Sequence, residues 1–353
     1  MANWENLVQT RPQISFRRFF FYFITLAAII VIYLKFSELK LLGDLFVQSN
    51  SAWLTAIIII QIFSYYSLAL NYRDVLKVKD LRVSVKELFP ITFVIQFINQ
   101  ALPSATLSGQ AFFIQYLKRY GLSLAEGISR AIIERLTLDV GFGVFFFTSS
   151  ILMFQNGVIV SHPEVTFFIY LFLFFGVTFS AIFFALQKNR RGAITKWVVA
   201  KLHKYFEKNK KEDQTSHVTM LFDQLKLSVN MGLLGRQKKP FWSAVFWQGM
   251  VLFLNIVSLQ LISYAIGTSI PFSLAFVAFT LTRFLSMVSF VPGALGIFEG
   301  GMTLILISFG VPAQPAFAIT LLLRAFTFWF PMPVGWILYR YFLHRQELEN
   351  PYM

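Results

Sequence analysis

The sequence predicts an all-α, polytopic transmembrane helix bundle with two inverted-topology repeats, each containing a re-entrant, broken helical hairpin. Three observations lead to this fold. The 353 residues are 56% hydrophobic and only 14% charged, long apolar stretches recur, and one spacing of proline, glycine and arginine occurs twice. A globule of this composition would expose more apolar surface than water tolerates, so we expect lipid as the solvent and a single membrane domain over residues 1–353.

Four apolar stretches are each long enough to cross about 30 Å of hydrocarbon at a rise of about 1.5 Å per residue. They cover residues 19–34, 53–70, 165–186 and 241–265. The first follows Arg17 and Arg18 and lacks a small-residue cleavage pattern, so we interpret it as a retained span rather than a signal peptide. Alternating amphipathic strands are missing from the sequence, which favours a helix bundle over an outer-membrane barrel.

The formal net charge of +14 is distributed as the positive-inside rule describes. Basic residues concentrate in 1–18, 71–87 and 188–239, whereas 155–164 and 266–273 contain none. This asymmetry predicts a multi-pass protein of the cell inner (plasma) membrane with both termini in the cytoplasm.

The longest basic segment, residues 188–240, is predicted to be an amphipathic cytoplasmic loop. It contains 13 Lys or Arg residues against four acids, and Ile194, Trp197 and Val198 recur at helical spacing. Such a helix fits either an interfacial position against anionic lipid or docking on the bundle. No aromatic-basic platform or reader motif accompanies the charge, so we expect no nucleic-acid partner.

Two segments each contain a set of four residues with the same spacing, in which successive members are 7, 11 and 14 positions apart. The members are Pro103, Gln110, Gly121 and Arg135 in the first copy, and Pro292, Glu299, Gly310 and Arg324 in the second. We assign residues 88–139 to the first repeat and residues 273–338 to the second. Kinked but ordinary spans with a chance match of spacing are the alternative.

The apolar pieces around the first proline are too short to cross the bilayer untilted, and the pieces around the second proline are 273–291 and 297–309. The pieces 88–102 and 104–117 end near Lys86 and Lys118, which predicts a hairpin that enters from the cytoplasm. The second pair lies between loops without positive charge, so its hairpin should enter from outside. The predicted hairpin breakers are Pro103, Gly109, Pro292, Gly293 and Gly296. Inverted repeats with interrupted helices indicate a binding site near the midplane.

Charged residues inside the predicted membrane region number four arginines and three acids. They are Arg130, Arg135, Arg283, Arg324, Glu134, Asp139 and Glu299. The i,i+4 spacing predicts the pairs Arg130 with Glu134 and Arg135 with Asp139, and the tally leaves one cation without an acid.

We hypothesise that Arg324, together with Arg283, contacts the phosphodiester of a lipid headgroup, because a guanidinium binds phosphate bidentately. The predicted substrate-binding residues are Arg324, Arg283, Glu299, Arg135, Glu134, Asn99 and Gln110. A purely structural ion-pair network is the alternative.

Machinery for catalysis is not evident in the sequence. The chain has no cysteine, and its four histidines fall in predicted loops or interfacial stretches. Phosphate-loop, nucleophile-elbow and dinucleotide motifs are missing. The i,i+5 separation of Glu134 and Asp139 places them on different helix faces. We therefore predict no enzyme activity, no metal and no cofactor.

One stretch and two shorter motifs carry a resemblance to a known family. They are the run Pro292-Gly293-Ala294-Leu295-Gly296-Ile297-Phe298-Glu299, the Glu134-Arg135-Leu136 triplet, and Asn99, Pro103 and Gly109. Together they resemble the flippase-like membrane domain of the lysylphosphatidylglycerol synthases, the membrane half of multiple peptide resistance factor proteins. The resemblance covers nearly the whole chain. It implies a plasma-membrane protein that binds a lipid or moves it between leaflets.

Two departures from that family qualify the expectation. Gln110 and Phe113 stand where members often carry Glu and then Arg, and no aminoacyl-transferase domain follows the last span. We predict a protein that flips a phospholipid or modified phospholipid, with membrane lipids bearing an anionic phosphate headgroup as partners. The alternatives are a secondary transporter of a small polar solute and a non-catalytic partner subunit of a separate lipid-modifying enzyme.

Overall fold

The computed structural model describes residues 49–102, 107–155, 238–289 and 291–349, with Asp44, Leu45 and Val47 before them. All regular secondary structure within these residues is helical. Several sequence predictions lie outside the described residues. They are the spans 19–34 and 165–186, the hairpin breaker Pro103, both termini and nearly all of the basic segment 188–240.

The described helices differ widely in length. In chain order they are α1 (Ser51–Lys77), α2 (Val85–Ala101), α3 (Leu107–Leu117), α4 (Leu124–Gln155), α5 (Lys238–Ala265), α6 (Phe272–Val288), α7 (Ile297–Ser308), α8 (Ala313–Arg324) and α9 (Pro331–Glu349). A π-helical segment, Ala325–Trp329, joins α8 to α9.

Among the described residues, four stretches are long and apolar enough to cross a membrane. They are Ser51–Lys77, Glu126–Met153, Lys238–Ala265 and Ala313–Phe342. The first and third contain the predicted spans 53–70 and 241–265. The protein is therefore an integral membrane protein with an all-helical described fold.

Helices α1 and α5 form an antiparallel pair that sets the two ends of the bundle. Ser243 donates to Asp74 at 2.6 Å at one end, and the Trp53 and Tyr264 rings lie 5.5 Å apart at the other. We call the first the basic end, since Lys77 and Lys238 lie there, and the second the neutral end.

Exposed aromatic side chains mark both ends of this pair. Trp242 is 59% exposed near the basic end, and Trp53 and Tyr264 are also exposed at the neutral end. Trp242 and Tyr264 are separated by about 33 Å along α5 at about 1.5 Å per residue, which matches a hydrocarbon core of about 30 Å. Trp and Tyr concentrate at such membrane interfaces.

Four of the short helices form two packed pairs. We call α2 with α3 the first helix pair, and α6 with α7 the second helix pair. The 3₁₀ turn Pro292–Ala294, which lies between α6 and α7, packs against α2 and so brings the two pairs together. Helix α9 also packs closely on α2, because a Cβ atom on Gly335 would lie 2.5 Å from the carbonyl oxygen of Phe93.

Candidate functional site

A cavity of about 200 Å³ lies where both helix pairs meet the long helices α1, α4 and α5. Six of the seven residues predicted to bind substrate line it. They are Asn99, Gln110, Glu134, Arg135, Arg283 and Arg324. Arg135 lies eleven residues after the start of α4, and Arg324 eleven residues after the start of α8. Both therefore lie about 16 Å from their helix starts, near the middle of a bilayer.

The turn before α7 depends on two glycines. Gly293 and Gly296 have φ angles of +55° and +81°, which residues with a Cβ atom rarely adopt. A Cβ atom on Gly293 would also lie 2.3 Å from the Phe328 ring. Gly296 is the N-cap of α7, and its N–H donates to Oε2 of Glu299 at 2.6 Å. The positive φ angles therefore favour glycine at both positions, and Glu299 caps its own helix.

Arg324, the last residue of α8, binds this turn. Its Nε donates to Oε1 of Glu299 at 2.7 Å, and its Nη2 donates to the carbonyl oxygen of Gly293 at 2.7 Å. The Phe328 and Phe298 ring centroids lie 4.3 and 4.8 Å from its Cζ atom. Arg324 is 6% exposed and Glu299 5%. The pair is a buried ion pair with cation–π support, and the same guanidinium also binds the Gly293 carbonyl.

The sequence hypothesis of a headgroup contact at Arg324 stays a prediction, and the structure adds contacts of that side chain within the protein. The hypothesis gave Arg324 first place as the headgroup contact, with Glu299 shared between two arginines. The glycine turn instead directs the Glu299 carboxylate and the Gly293 carbonyl at Arg324, so the guanidinium is occupied within the protein. Two N–H groups of Arg324 are therefore engaged within the protein, while its side chain also lines the cavity.

In the first helix pair, Asn99 and Gly109 connect α2 to α3. The Gly109 N–H donates to Oδ1 of Asn99 at 2.8 Å, which satisfies a backbone donor in the first turn of α3. A Cβ atom on Gly109 would lie 2.4 Å from the same oxygen. Gln110 donates from its side-chain amide to the carboxylate of Glu134. Gln110 thus occupies the place that Glu299 holds in the second copy, and it contacts the residue before Arg135.

One predicted ion pair on α4 is confirmed and the other is wrong. Arg135 lies 3.1 Å from Asp139, as the i,i+4 spacing predicts. Arg130 does not pair with Glu134, but donates to the backbone carbonyls of Glu126 at 3.2 Å and Lys79 at 3.4 Å. Helical side chains lean toward the N-terminus, so the guanidinium of Arg130 reaches back to the basic end.

A hydrogen bond joins the first helix pair to the π-helical segment. Gln100 donates from Nε2 to the carbonyl oxygen of Thr327 at 3.2 Å. Single π-helical turns interrupt the i→i+4 ladder and are frequent at functional sites. The interruption follows directly after Arg324, so α2 contacts the backbone that continues from that residue.

Arg283 differs from the other cavity arginines. Among the described residues, no hydrogen-bond or ion-pair partner faces its guanidinium. Arg135 and Arg324 are the charges close enough to act on it, and both repel it. The charge tally predicted one cation without an acid; within the described chain Arg130 hydrogen-bonds backbone carbonyls instead of an acid, and Arg283 has neither an acid nor a carbonyl partner.

Sequence reasoning missed the contribution of α1 and α5 to the cavity. Gln61, Ser64, Gln248 and Asn255 all line it. Gln61 donates to Ser258 at 2.9 Å, which joins the two helices inside the membrane. The sequence contained a pattern that could have predicted this contribution. Polar residues three or seven positions apart in an apolar span lie on one helix face. In the part of the chain that is described, no group of three His, Asp or Glu side chains could hold a metal ion.

Comparison with known proteins agrees with the membrane fold. A family described as the lysylphosphatidylglycerol synthase TM region matches residues 21–335. A UPF0104 membrane protein of Methanothermobacter thermautotrophicus is 23% identical over 262 residues, which are 72% of this chain and 75% of that protein. A UPF0104 membrane protein of Methanocaldococcus jannaschii is 23% identical over 305 residues, covering 82% and 85% of the two chains.

Proposed function

Because the chain belongs to the family of the lysylphosphatidylglycerol synthase transmembrane region, we propose that it binds a phospholipid headgroup in the central cavity. Binding there allows the protein to flip the lipid, a phospholipid or modified phospholipid, across the cytoplasmic membrane. One observation carries the proposal. The guanidinium of Arg283 lines the cavity, and among the described residues it has no hydrogen-bond or ion-pair partner.

Arg283 requires an anion for electrostatic reasons. An arginine at the bilayer centre costs at least about 2.5 kcal/mol on insertion scales, and such residues normally face a partner or an aqueous cavity. Arg135 and Arg324 increase that cost, because both repel Arg283. A phosphodiester would neutralise the excess charge and accept two parallel N–H bonds from one guanidinium.

The size of the cavity suits a headgroup. At about 200 Å³ it is smaller than the roughly 300–1,000 Å³ of sites for drug-sized ligands. The acyl chains would remain outside, against exposed apolar side chains such as Phe63, Phe147 and Leu304. A lipid would thus place its charge in the protein and its tails in the membrane.

We further infer that the two helix pairs are re-entrant from opposite sides of the membrane. In support, Tyr120 donates to Glu87 at 2.9 Å, which joins the outer ends of α3 and α2 at the basic end. Helix α6 begins one short loop after α5 ends at the neutral end, and α7 runs back antiparallel to it. The positive-inside rule makes the basic end cytoplasmic. Two opposed broken-helix pairs around one site are the architecture of alternating access.

Reconstitution into liposomes tests the proposal. The purified protein is inserted into vesicles that contain a phospholipid with a fluorophore on its acyl chain, and dithionite is added outside. We expect bleaching beyond the outer-leaflet fraction, at a rate proportional to protein content. Bleaching that stops at the outer-leaflet fraction for every lipid, as in empty vesicles, would overturn lipid flipping and favour solute transport or a partner-subunit role.

A further inference from the structure

Glu134 is a buried acid in the cavity wall to which the proposed lipid contact assigns no role. It is 3% exposed, and within the described chain its carboxyl group accepts a hydrogen bond from the side-chain amide of Gln110. An amide is neutral, so this hydrogen bond leaves the charge of an ionised Glu134 in place. Acidic residues inside a membrane are rare and mark ion pathways or proton relays. Glu134 is therefore a candidate for a second role in the cavity.

Two ion pairs account for the other charges around the cavity. They are Arg135 with Asp139 at 3.1 Å and Arg324 with Glu299 at 2.7 Å. The remaining charged side chains of the described cavity wall are Glu134 and Arg283, and neither forms an ion pair within the described chain. One acid and one cation are thus left without a charged partner in the same cavity.

The charged and titratable groups that face Glu134 come from four helices. They are Arg135 and Asp139 on α4, Tyr72 on α1, Arg283 on α6 and Arg324 on α8. Arg135 attracts the Glu134 carboxylate, whereas Asp139, the ion-pair partner of Arg135, repels it. Helices α3 and α5 add only uncharged side chains to the described cavity wall. Glu134 therefore shares its neighbouring cation with a second acid.

A phosphate at Arg283 would change the charge balance of the cavity. It would bring a negative charge into a space of about 200 Å³ whose wall already contains Glu134. Two negative charges in a buried site repel each other strongly, and a proton on one of them removes the repulsion. Binding of the phosphate and binding of a proton therefore favour each other, and this linkage is reciprocal.

We propose that Glu134 is a proton-binding site that couples lipid flipping to the proton gradient. Its carboxylate takes up a proton from water on the side where the phosphate enters and becomes a neutral carboxylic acid. It releases the proton to water on the side where the phosphate leaves. Lipid and proton therefore move in the same direction. This inference rests on the proposed function.

The first experiment imposes a pH difference on the proteoliposomes. The vesicles contain acyl-labelled phosphatidylglycerol, the external pH is constant, and valinomycin with equal potassium on both sides holds the membrane potential at zero. Lowering the internal pH by one unit should speed outward flipping, read from dithionite bleaching, by at least about threefold, because about tenfold more protons reach the site from inside. Flipping at one rate, or more slowly with an acidic interior, would overturn this inference. Failure to flip at any pH would instead overturn the proposed function.

The second experiment compares Glu134 with an acid outside the cavity. Glu134→Gln imitates the protonated side chain permanently, so its flipping rate should be the same at both internal pH values. Glu87→Gln, at an exposed position at the basic end, should keep the wild-type ratio of the two rates. The ratio is measured within one preparation, so partial loss of folded protein cancels. A wild-type ratio in Glu134→Gln would contradict the assignment.

A measurement of proton uptake covers the case in which Glu134→Gln does not flip lipid. Short-chain phosphatidylglycerol is added to the purified protein in weakly buffered detergent solution at several pH values, and a pH indicator follows the protons. The wild type and Glu87→Gln should take up as much as about one proton per bound lipid, and Glu134→Gln should take up none. Lipid binding without proton uptake by the wild type would overturn this inference. Equal uptake by Glu134→Gln would contradict the assignment to this residue.

Discussion

Arg324 and Glu299, which are twenty-five residues apart in sequence, form a buried ion pair with 2.7 Å between Nε and Oε1. The same carboxylate caps α7 through the Gly296 N–H, and the same guanidinium holds the Gly293 carbonyl. One ion pair therefore connects the glycine turn, the start of α7 and the end of α8. We expect this ion pair to stabilise the cavity wall.

Removing the arginine should destabilise the protein strongly. In Arg324→Met, the Glu299 carboxylate stays buried without its counter-charge, which typically costs about 3–5 kcal/mol. Thermal unfolding in detergent, followed by tryptophan fluorescence, would measure the effect. Arg340→Met, at an exposed position on α9, is the control and should unfold like the wild type. An unfolding temperature of Arg324→Met equal to the wild type would show that the ion pair contributes nothing.

Alanine substitutions at Gly293 and at Gly300 should have opposite effects on the stability of the protein. Gly293→Ala combines a left-handed backbone with a Cβ atom 2.3 Å from the Phe328 ring, so we expect a loss of at least about 2 kcal/mol. Gly300 is an exposed helical residue with open space at its Cβ position. Gly300→Ala should be neutral or stabilising by up to about 1 kcal/mol. Equal unfolding temperatures for the two variants would contradict the role of the turn.

Asn99 and Gly109 should behave as a coupled pair. Gly109→Ala places a Cβ atom 2.4 Å from Oδ1 of Asn99 and should destabilise the wild type. Asn99→Ala removes the acceptor of the Gly109 N–H, at a cost of about 1 kcal/mol, but also removes the obstruction. Gly109→Ala should therefore cost less in the Asn99→Ala background. Strict additivity in a double-mutant cycle of unfolding free energies would exclude the contact.

The basic end contains a lysine with an altered proton affinity. Burial and the positive charge of Arg130 lower the pKa of Lys79 from 10.5 to about 8. Since the unfolded chain holds this proton more tightly, stability should rise as the pH increases from about 8 toward 10.5. Acylation of Lys79, mapped by mass spectrometry, should have a midpoint near pH 8. Arg130→Gln should raise this midpoint. Arg82→Gln, at an exposed position, is the control, and an equal change of the midpoint in both variants would contradict a specific effect of Arg130 on the pKa of Lys79.

Local features of this fold could be predicted from the sequence. Apolar length predicted α1 and α5, whereas Gly109, which was predicted to be a hairpin breaker, lies inside α3. The i,i+4 rule predicted Arg135 with Asp139 because both lie on one helix. The same rule was wrong for Arg130, since helical side chains lean toward the N-terminus and carbonyls at the basic end were within reach.

Contacts across helices could not be predicted from spacing alone. Gln100 reaches Thr327 only because α2 packs beside the π-helical segment, a relation with no local signature. The charge tally required one unpaired cation, but Arg283 and Arg324 were equivalent by depth and type. The glycine turn places the Glu299 carboxylate against Arg324, and this contact distinguishes Arg324 from Arg283.

Flipping by Arg283 variants tests the central claim that this side chain binds the headgroup phosphate. Arg283→Met should flip labelled phosphatidylglycerol at the rate of empty vesicles, and Arg82→Met should match the wild type. Arg283→Met should unfold at or above the wild-type temperature, because it removes a cation that Arg135 and Arg324 repel. Flipping at the wild-type rate by a folded Arg283→Met protein would contradict the account.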